Sequence, residues 1–576
     1  MSLTASFPKL QAAIAAFNAA GQVGEDPLGA LYAERRKGHS LFSNLLSDQD
    51  LEALRPYLFC HGGSIAQRPG DKPTRVTNLI AGRWSLPEKG EMAVLQSLAD
   101  RRIALMQVPA STKEDVEKAV SAADAAWKSL TWASEVYTYR KHVVKNWSRM
   151  LDYFTEDCLR EIRQQIPKTR LEAQKDFFEA KRAADHLEGS VEACIQGEML
   201  PPMTQGHTYW RNAYLPAGVS VIISPMNFIY GIPGIHLIGA YLAGVPFIFK
   251  GHPFAALSNT TMVRMLLAAG ADPAYVQKVE GFGGGIASLA TDARVAVVAV
   301  TGSSETARKI QAGRGLNRLR FEGGGCNWCW VDDGFTDAEL KKIAIRLTYA
   351  KLGFGSHKCT SLHGVAGSTK TLDTLMRLIN EEMGTWRVAD PREATDDKVL
   401  SPLMVHKAQT LVDIAAAAKT QPGVTVLREG GRADGAYGEH SEAVKPALLR
   451  IRPDTTVKVN WDGKGVGEFR LATTEFFMPI LVGMDMPDFE SYVRFCLFEN
   501  PHDLSTALFT RDDAKLQLGR RTLGGMLKEN DGTDSALEWE EFGASGIGES
   551  GNMGVGEVTA TFSIYTRRQK GRHLTL

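Results

Sequence analysis

The sequence has no excess of either charge and no block of basic residues. Its 576 residues include 66 lysines and arginines against 66 aspartates and glutamates, so the formal net charge is zero. Proteins whose main partner is nucleic acid or an anionic membrane usually carry a basic patch or block. We therefore expect a small molecule as the main partner, with no nucleic-acid and no membrane partner.

Cysteine is scarce and irregularly placed. The seven cysteines lie at positions 60, 158, 194, 326, 329, 359 and 496. An odd, irregular set in a long chain indicates free thiols in a reducing compartment. The first twenty residues lack the charged start and unbroken apolar stretch of a targeting peptide, so we expect a cytoplasmic protein.

The C-x-x-C pair Cys326 and Cys329 lacks the further ligands of a zinc site. The sequence has no second C-x-x-C, and the nearest histidine, His357, lies beside Cys359. A structural zinc site needs four ligands, so no metal is expected. A regulatory disulfide between Cys326 and Cys329 stays open as an alternative.

No apolar segment is both long and unbroken. Residues 215–249 carry no charge, but glycine and proline divide them into short pieces. A membrane span needs about 20 consecutive apolar residues, so this segment is better explained as a buried strand, helix and strand.

Strands and helices alternate in two parts of the chain. Strands are predicted over 219–223, 245–249 and 295–300, and helices over 112–130, 231–243 and 254–269. A second alternation follows position 359, with helices over 369–383 and 402–418 and strands near Val424, Ala447 and Ile480. This order predicts an α/β fold with parallel, doubly wound sheets, which bind nucleotides at the carboxyl ends of their strands.

Two segments contain residues suited to covalent chemistry. Cys359, in GSHKCT, follows a glycine-bearing turn whose backbone amides could activate a thiol. Glu322 precedes three glycines that would let a ligand approach, so its carboxylate could act as a general base. Taken singly, a buried inert cysteine and a surface glutamate beside a glycine turn are the simpler explanations of these residues.

Together with VSVIISPMNFIYG and VPFIFKGHP, these segments resemble the aldehyde dehydrogenase superfamily from Val76 to the C-terminus. The resemblance implies that Cys359 is the nucleophile, Glu322 the general base of an E-x-G-G motif and Asn227 the oxyanion-binding amide. Cys326 replaces the lysine that usually follows that motif. The implied reaction oxidises an aldehyde to its acid through a cysteine thiohemiacetal and a thioester.

The same resemblance implies a set of cofactor-binding residues: Ser224, Pro225, Lys250, Gly302, Ser303, Glu475 and Phe477. Lys250 would reach the adenosine ribose, Ser303 the pyrophosphate and Glu475 the nicotinamide ribose, while Phe477 could equally be a plain core residue. Many NAD-preferring members carry an acid three residues after the lysine, where this chain has Pro253. NADP is therefore at least as strongly expected as NAD, and His252 could meet its 2′-phosphate.

The implied architecture is an aldehyde dehydrogenase-like α/β fold with a small oligomerisation element, in a homodimer or homotetramer. We predict an N-terminal helical extension at 1–75, a Rossmann-type cofactor-binding domain at 76–328, a catalytic domain at 329–525 and a C-terminal segment at 526–576. The oligomerisation strands are expected near 205–216 and 555–576.

Some features leave the branch of the family open. Ala307 replaces a usual glycine, and Glu549 and Ser550 lie in an atypical C-terminal loop. Parts of the sequence are similar to semialdehyde dehydrogenases of coenzyme A-linked aromatic degradation, and others to the proline-catabolic branch. A coenzyme A-acylating dehydrogenase, which usually lacks the base at Glu322, and an inactive binding protein remain as alternatives.

Overall fold

The computed structural model describes residues 9–29, 45–134, 137–186, 191, 198–200, 207–315, 318–404, 407–536, 543–544, 548–552 and 558–574. The α-helices of these residues are Leu10–Ala19, Asp48–Leu58, Lys113–Lys128, Thr131–Ser134, Tyr137–Tyr153, Thr155–Gln165, Arg170–Asp185, Gly231–Ala243, Ala256–Ala268, Gly283–Thr291, Ser304–Arg314, Asp337–Leu352, Thr369–Met383, Lys407–Ala418, Gly435–His440, Phe489–Phe498, Asp513–Thr522 and Val558–Ile564.

The strands, in chain order, are β1 Gly24–Glu25, β2 Thr74–Arg75, β3 Asn78–Ile80, β4 Arg83–Ser85, β5 Met92–Gln96, β6 Ala104–Pro109, β7 Glu198–Leu200, β8 His207–Pro216, β9 Ser220–Ile223, β10 Phe247–Lys250, β11 Val276–Lys278, β12 Val297–Thr301, β13 Arg318–Glu322, β14 Asn327–Val331, β15 Leu362–Gly367, β16 Thr425–Arg428, β17 Gly431–Arg432, β18 Val444–Lys445, β19 Ala447–Ile451, β20 Thr456–Asn460, β21 Val466–Arg470, β22 Ile480–Asp485, β23 Ser505–Phe509, β24 Met526–Glu529 and β25 Thr566–Leu574.

The first large sheet has the strand order β1-β4-β3-β11-β10-β9-β12-β13. From β11 to β13 all its neighbouring strands run parallel, as the sequence predicted. The chain passes from β9 to β10 and β11 on one side, then crosses to β12 and β13 on the other. The carboxyl ends of β9 and β12 therefore flank a topological switch point, where α/β sheets bind their ligands.

The second large sheet has the order β16-β19-β22-β15-β14-β23-β24 and is parallel apart from the pair β16 and β19. Its inner strands β14, β15 and β23 are buried throughout, on both faces. Such continuously buried strands are typical of a parallel sheet covered by helices on both sides. The predicted α/β class is confirmed for both halves of the chain.

Several predicted boundaries are wrong in detail; the strand predicted over 245–249, for example, spans Phe247–Lys250. The stretch predicted as one helix over 254–269 begins with a 3-10 turn, Pro253–Ala255, because Pro253 fixes the backbone and His252 Nδ1 accepts the Phe254 N–H. The helix predicted from 402 begins at Lys407. The strand predicted over 295–300 spans Val297–Thr301.

The predicted helix after Ser111 has the predicted start. Its N-cap residue Thr112 donates its backbone N–H to the Asp115 carboxylate at 2.8 Å, which completes a capping box. Val116, Val120 and Ala123 of this helix are buried in one apolar cluster with residues of the first sheet.

The N-terminal helices belong to the core of the first half of the molecule. Phe17, Leu54 and Tyr57 are buried in one apolar cluster with the helix Ala256–Ala268. Arg264, which is fully buried, donates to the Tyr57 carbonyl oxygen at 2.8 Å. Helical pieces are thus present within the predicted 1–75 extension, and they pack tightly on the helix Ala256–Ala268.

A separate three-stranded sheet joins two distant parts of the chain. Strand β25 pairs antiparallel with β8, and β8 pairs antiparallel with β7. The strands predicted near 205–216 and 555–576 therefore lie side by side. Within the part of the chain that the structure describes, no helix is long and apolar enough to cross a membrane.

Candidate active site

A cavity of about 550 Å³ is lined by all ten residues named from the sequence. They are Asn227, Glu322, Cys359, Ser224, Pro225, Lys250, Gly302, Ser303, Glu475 and Phe477. These residues are spread over more than 200 positions of the chain, and only the fold brings them together.

The first sheet supplies one wall of this cavity from the ends of its strands. Ser224 follows β9, Lys250 ends β10, Ser303 follows β12 and Glu322 ends β13. Because these strands are parallel, their carboxyl ends meet at one edge of the sheet. The shared edge explains why four short and separate segments contribute to one site.

The helix that begins after Ser303 provides a place for a phosphate. Ser303 is its N-cap residue, and the Ser303 hydroxyl accepts the Thr306 N–H at 3.3 Å. The free N–H groups and the dipole at a helix N-terminus favour an anion. Two hydroxyls at the same wall, Ser224 Oγ and Thr301 Oγ1, are buried without a hydrogen-bond partner among the described residues. The site therefore fits a polar, phosphate-bearing ligand.

The residues before Cys359 form a tight turn with unusual backbone angles. Phe354 and Ser356 have positive φ values of 58° and 64°. A Cβ atom on Gly355, between them, would lie 2.9 Å from the Ser401 carbonyl oxygen, so only glycine fits there. This turn ends the helix Asp337–Leu352 and delivers Cys359 to the cavity.

Asn327 holds the loop that carries Cys359. Its Nδ2 donates to the carbonyl oxygens of Cys359 at 2.7 Å and Ser361 at 2.9 Å. Its Oδ1 accepts the Ser505 N–H at 3.1 Å. One buried side chain thus ties the Cys359 loop to two neighbouring strands.

Burial raises the pKa of the Cys359 thiol above its usual value, and the Glu322 carboxylate nearby raises it further. Lys358, the residue before it, acts in the opposite direction. In the resting protein the thiol is therefore mostly protonated at neutral pH, and its reaction as a thiolate requires a proton acceptor.

Glu322 is suited to accept a proton. Its side chain is fully buried, and neither carboxylate oxygen has a hydrogen-bond partner among the described residues. Burial first, and Asp503 second, raise the pKa of Glu322 well above its usual value. A buried carboxylate that faces a cavity without fixed partners is an arrangement typical of a general base.

The glycines after Glu322 leave room for Glu475. A Cβ atom on Gly324 would lie 2.0 Å from Glu475 Oε2, and the Gly325 N–H donates to Glu475 Oε1 at 3.2 Å. The C-terminal loop closes the other side, because the Gly323 N–H donates to the Ser550 carbonyl oxygen at 2.8 Å. Burial raises the pKa of Glu475 to about 7.

Phe477 lies at the cavity with a positive φ of 50°, and its ring packs against the His357 ring with centroids 5.3 Å apart. A bulky residue held in this region of backbone space is strained, and such strain is common at functional sites. Its place at the cavity wall fits the expected contact with the cofactor, which stays a prediction.

Asn227 is positioned by a buried ion pair. Lys168 Nζ donates to the Asn227 carbonyl oxygen at 2.6 Å and contacts Asp176 Oδ2 at 2.9 Å. The Asp176 carboxylate also accepts the N–H groups of Ile229, Tyr230 and Gly231 at 2.9–3.0 Å. Asp176 thereby fixes the loop from Asn227 to the start of the helix Gly231–Ala243.

Several cavity residues were given no role from the sequence, either because they lie in no motif or because, like Met226, Phe228 and Lys358, they were left unassigned within a quoted segment. They are Glu179, Met226, Phe228, Lys358, Met404, Lys407, Asp462, Lys464 and Ala536. His252, by contrast, was named, and burial followed by the nearby Lys250 lowers its pKa to about 3. It is therefore neutral and could meet a phosphate only as a hydrogen-bond donor.

Cys326 and Cys329 are both free thiols in the structure. Cys326 Sγ donates to the Ala472 carbonyl oxygen at 3.4 Å, and both side chains are buried. Burial raises the pKa of each thiol, which disfavours its reactive thiolate form. No cluster of potential metal ligands occurs among the residues that the structure describes.

Comparison with known proteins places these observations in a family. Residues 84–570 match the model of the aldehyde dehydrogenase family. An NADP-dependent glyceraldehyde-3-phosphate dehydrogenase of Zea mays is 22% identical over 438 residues, 75% of this chain and 82% of that protein. An acylating, mitochondrial methylmalonate-semialdehyde/malonate-semialdehyde dehydrogenase of Rattus norvegicus is 22% identical over 411 residues, 71% of this chain and 72% of that protein.

The fold has close structural neighbours as well. A betaine aldehyde dehydrogenase of Staphylococcus aureus, solved in complex with NAD+, superposes with a TM-score of 0.77 at 18% identity and covers 87% of this chain and 94% of its own. The expected aldehyde dehydrogenase-like fold, and an enzyme that oxidises aldehydes with NAD(P), are confirmed at the level of the family. On the match over residues 84–570, the chain belongs to the aldehyde dehydrogenase family.

Proposed function

We propose that this enzyme oxidises an aldehyde to the free carboxylic acid, with Cys359 as nucleophile, Asn227 as oxyanion-binding residue and Glu322 as general base. The observation that carries the proposal is that these three residues line one cavity, in which the Glu322 carboxylate is buried without a partner among the described residues. Burial of a carboxylate without a partner costs free energy, and an inactive binding protein would gain nothing from it.

The chemistry follows from these positions. The Glu322 carboxylate takes the Cys359 proton and releases it to solvent before the hydrolysis step, and the thiolate sulfur adds to the aldehyde carbon to form a thiohemiacetal. The Asn227 side-chain amide would stabilise the negative charge that develops on the aldehyde oxygen. A bound NAD(P) supplies the hydride acceptor, and oxidation leaves a thioester on Cys359.

Glu322 would then complete the cycle. Its carboxylate takes a proton from a water molecule, whose oxygen attacks the thioester carbon. The carbon–sulfur bond breaks, the acid leaves and Cys359 is regenerated. The presence of Glu322 favours hydrolysis over transfer to coenzyme A, although an acylating relative exists in the family.

For the cofactor, Ser224, Lys250, Ser303 and Glu475 would hold the dinucleotide at the switch point of the first sheet. NAD and NADP both remain open: a relative uses NADP, and a structural neighbour holds NAD+. The absence of an acid at position 253 and the neutral His252 leave room for a 2′-phosphate. A semialdehyde is a reasonable substrate class, since a relative carries that name.

Homo-oligomer formation and a cytoplasmic location remain predictions. Support for the first is the three-stranded sheet of β25, β8 and β7, which lies apart from the two large sheets. Light scattering on the purified protein would distinguish a monomer from a dimer or tetramer.

The decisive experiment follows absorbance at 340 nm with NAD and NADP against a panel of aldehydes. We expect activity that is lost in Cys359→Ala. In Glu322→Gln we expect about one reduced cofactor per active site, formed more slowly than in the parent because Glu322 also accepts the thiol proton, followed by turnover slowed by about 100-fold or more. Mass spectrometry should find the acyl group on Cys359.

Two results would count against the proposal. Full activity in Cys359→Ala would exclude the nucleophile. Turnover that depends on coenzyme A in the parent enzyme, with no loss in Glu322→Gln, would show an acylating dehydrogenase instead.

A further inference from the structure

A β-hairpin of the second half of the molecule reaches into the cavity. It consists of β20 and β21, which pair antiparallel with each other and form a two-stranded sheet apart from the large ones. Two residues of its connecting turn, Asp462 and Lys464, line the cavity together with Lys250 and Ser303 of the first half. The hairpin therefore brings a cation of the second half of the molecule to the cavity that the first sheet also lines.

The turn of this hairpin is fixed on the protein. Trp461 is buried, and its ring lies 4.6 Å from the ring of Phe469. The Asp462 carboxylate pairs with Lys407 Nζ at 2.7 Å, and the Asp462 N–H donates to Thr410 Oγ1 at 2.8 Å. Lys464 therefore extends from an anchored turn, although its own side chain is largely exposed.

Lys464 meets the helix that begins after Ser303. Its Nζ lies 2.9 Å from Glu305 Oε2, in the first turn of that helix. The side chains of Lys464 and Glu305 are 63% and 50% exposed, so this ion pair contributes little stability. The Lys464 ammonium group therefore lies beside the N-terminus of the helix Ser304–Arg314, and it can leave Glu305 at little cost in free energy.

Glu305 keeps a counterion if Lys464 turns away. Lys309, one helical turn further on, lies 2.7 Å from Glu305 Oε1. The hydrogen bonds to Lys309 and Lys464 lower the pKa of Glu305 to about 2, so it stays ionised. Exchange of Glu305 for a phosphate oxygen as the partner of Lys464 would leave no charge unpaired.

We propose that Lys464, from the hairpin turn of the second half of the molecule, binds the pyrophosphate of the dinucleotide at the N-terminus of the helix Ser304–Arg314. This inference rests on the proposed use of NAD(P) at this site. The dinucleotide would then be held between the two halves of the molecule, with helix N–H groups and an ammonium group both in contact with the pyrophosphate.

Calorimetric titration of the full-length protein with NAD and NADP tests this. We expect Lys464→Ala to weaken the binding of both by about tenfold, as for a hydrogen bond to a charged group, and Lys464→Arg to restore most of it. The control is Lys458→Ala: this lysine lies on an exposed position of β20 of the same hairpin, and its substitution should leave both affinities unchanged.

Glu305→Gln separates phosphate binding from a merely structural link. If Lys464 only bridges the two halves, Glu305→Gln and Lys464→Ala both break the bridge and both weaken binding. If Lys464 binds phosphate, Glu305→Gln removes a competing carboxylate and strengthens binding while Lys464→Ala weakens it. Opposite shifts support the proposal, and shifts in the same direction overturn it.

The remaining outcomes are equally distinct. Unchanged affinities in Lys464→Ala would overturn the proposal, and a loss confined to NADP would overturn the pyrophosphate as the contact in favour of the 2′-phosphate. If the parent protein binds neither NAD nor NADP, the proposed function fails instead.

Discussion

The proposed nucleophile and base share one buried environment, and each makes the other harder to ionise. Burial raises the pKa of both Cys359 and Glu322, and the Glu322 charge raises that of Cys359 further. Two acids this close titrate as a coupled pair, so the state with both ionised is disfavoured. Transfer of the thiol proton to Glu322 would avoid that state and give a thiolate beside a neutral carboxyl group.

Glu475 gives a pH dependence that can be tested by cofactor binding. Burial raises the pKa of its carboxyl group to about 7, so it loses its charge as the pH falls through neutrality. If the carboxylate accepts hydrogen bonds from ribose hydroxyls, its protonation replaces an acceptor with a donor. We expect the dissociation constant of NAD to rise by up to about tenfold between about pH 8 and about pH 6, measured by calorimetry.

Two variants decide whether Glu475 is responsible. Glu475→Gln should bind more weakly and lose this pH dependence, whereas Glu490→Gln, on an exposed helix face, should retain it. An equally steep pH dependence in Glu475→Gln would assign the titration to another group.

At the scale of elements, one carboxylate positions a loop and a helix. Asp176 is fully buried, pairs with Lys168 and accepts three N–H groups at the start of the helix Gly231–Ala243. Asp176→Ala would leave the buried Lys168 ammonium group without its counterion and three N–H donors without their acceptor. We expect it to lower the free energy of unfolding by about 3–5 kcal/mol, measured by urea denaturation.

A matched exposed pair shows whether that loss is specific. Glu381→Ala removes the partner of Arg377 on the helix Thr369–Met383, an exposed pair that should contribute about 0.5 kcal/mol or less. Similar losses in the two variants would mean that Asp176 does not have the structural role assigned to it.

Some of these elements can be predicted from the sequence and others cannot. The strands β9, β10 and β12 were predicted from short apolar runs, and residues chosen by motif lie at or just after their carboxyl ends. The link from Asp176 to Gly231 spans 55 positions, and the turn at Gly355 is shaped by Ser401, so neither leaves a local pattern. The hairpin of β20 and β21 was missed although Val457 and Val459 alternate with polar residues and Asp462-Gly463 marks a turn.

At the scale of the whole molecule, the cavity joins two sheets with separate cores. The first contributes Ser224, Lys250 and Ser303, and the second half contributes Cys359 and Glu475. A ligand that contacts both halves stabilises both against unfolding. At about 100 times its dissociation constant, a bound cofactor would add about 2.7 kcal/mol to the folded state.

Two substitutions of Ser303 that differ only in charge test whether the cofactor stabilises the protein by binding at this helix. Ser303→Asp and Ser303→Asn both preserve an N-cap side chain for the helix Ser304–Arg314, and the two replacements have nearly the same shape. Only the aspartate places a negative charge where the pyrophosphate would bind. In thermal unfolding with saturating NAD or NADP, we expect the rise in Tm to persist in Ser303→Asn and to vanish in Ser303→Asp. An equal rise in Tm in both variants would show that the phosphates do not bind at this helix, and therefore not beside Lys464 either.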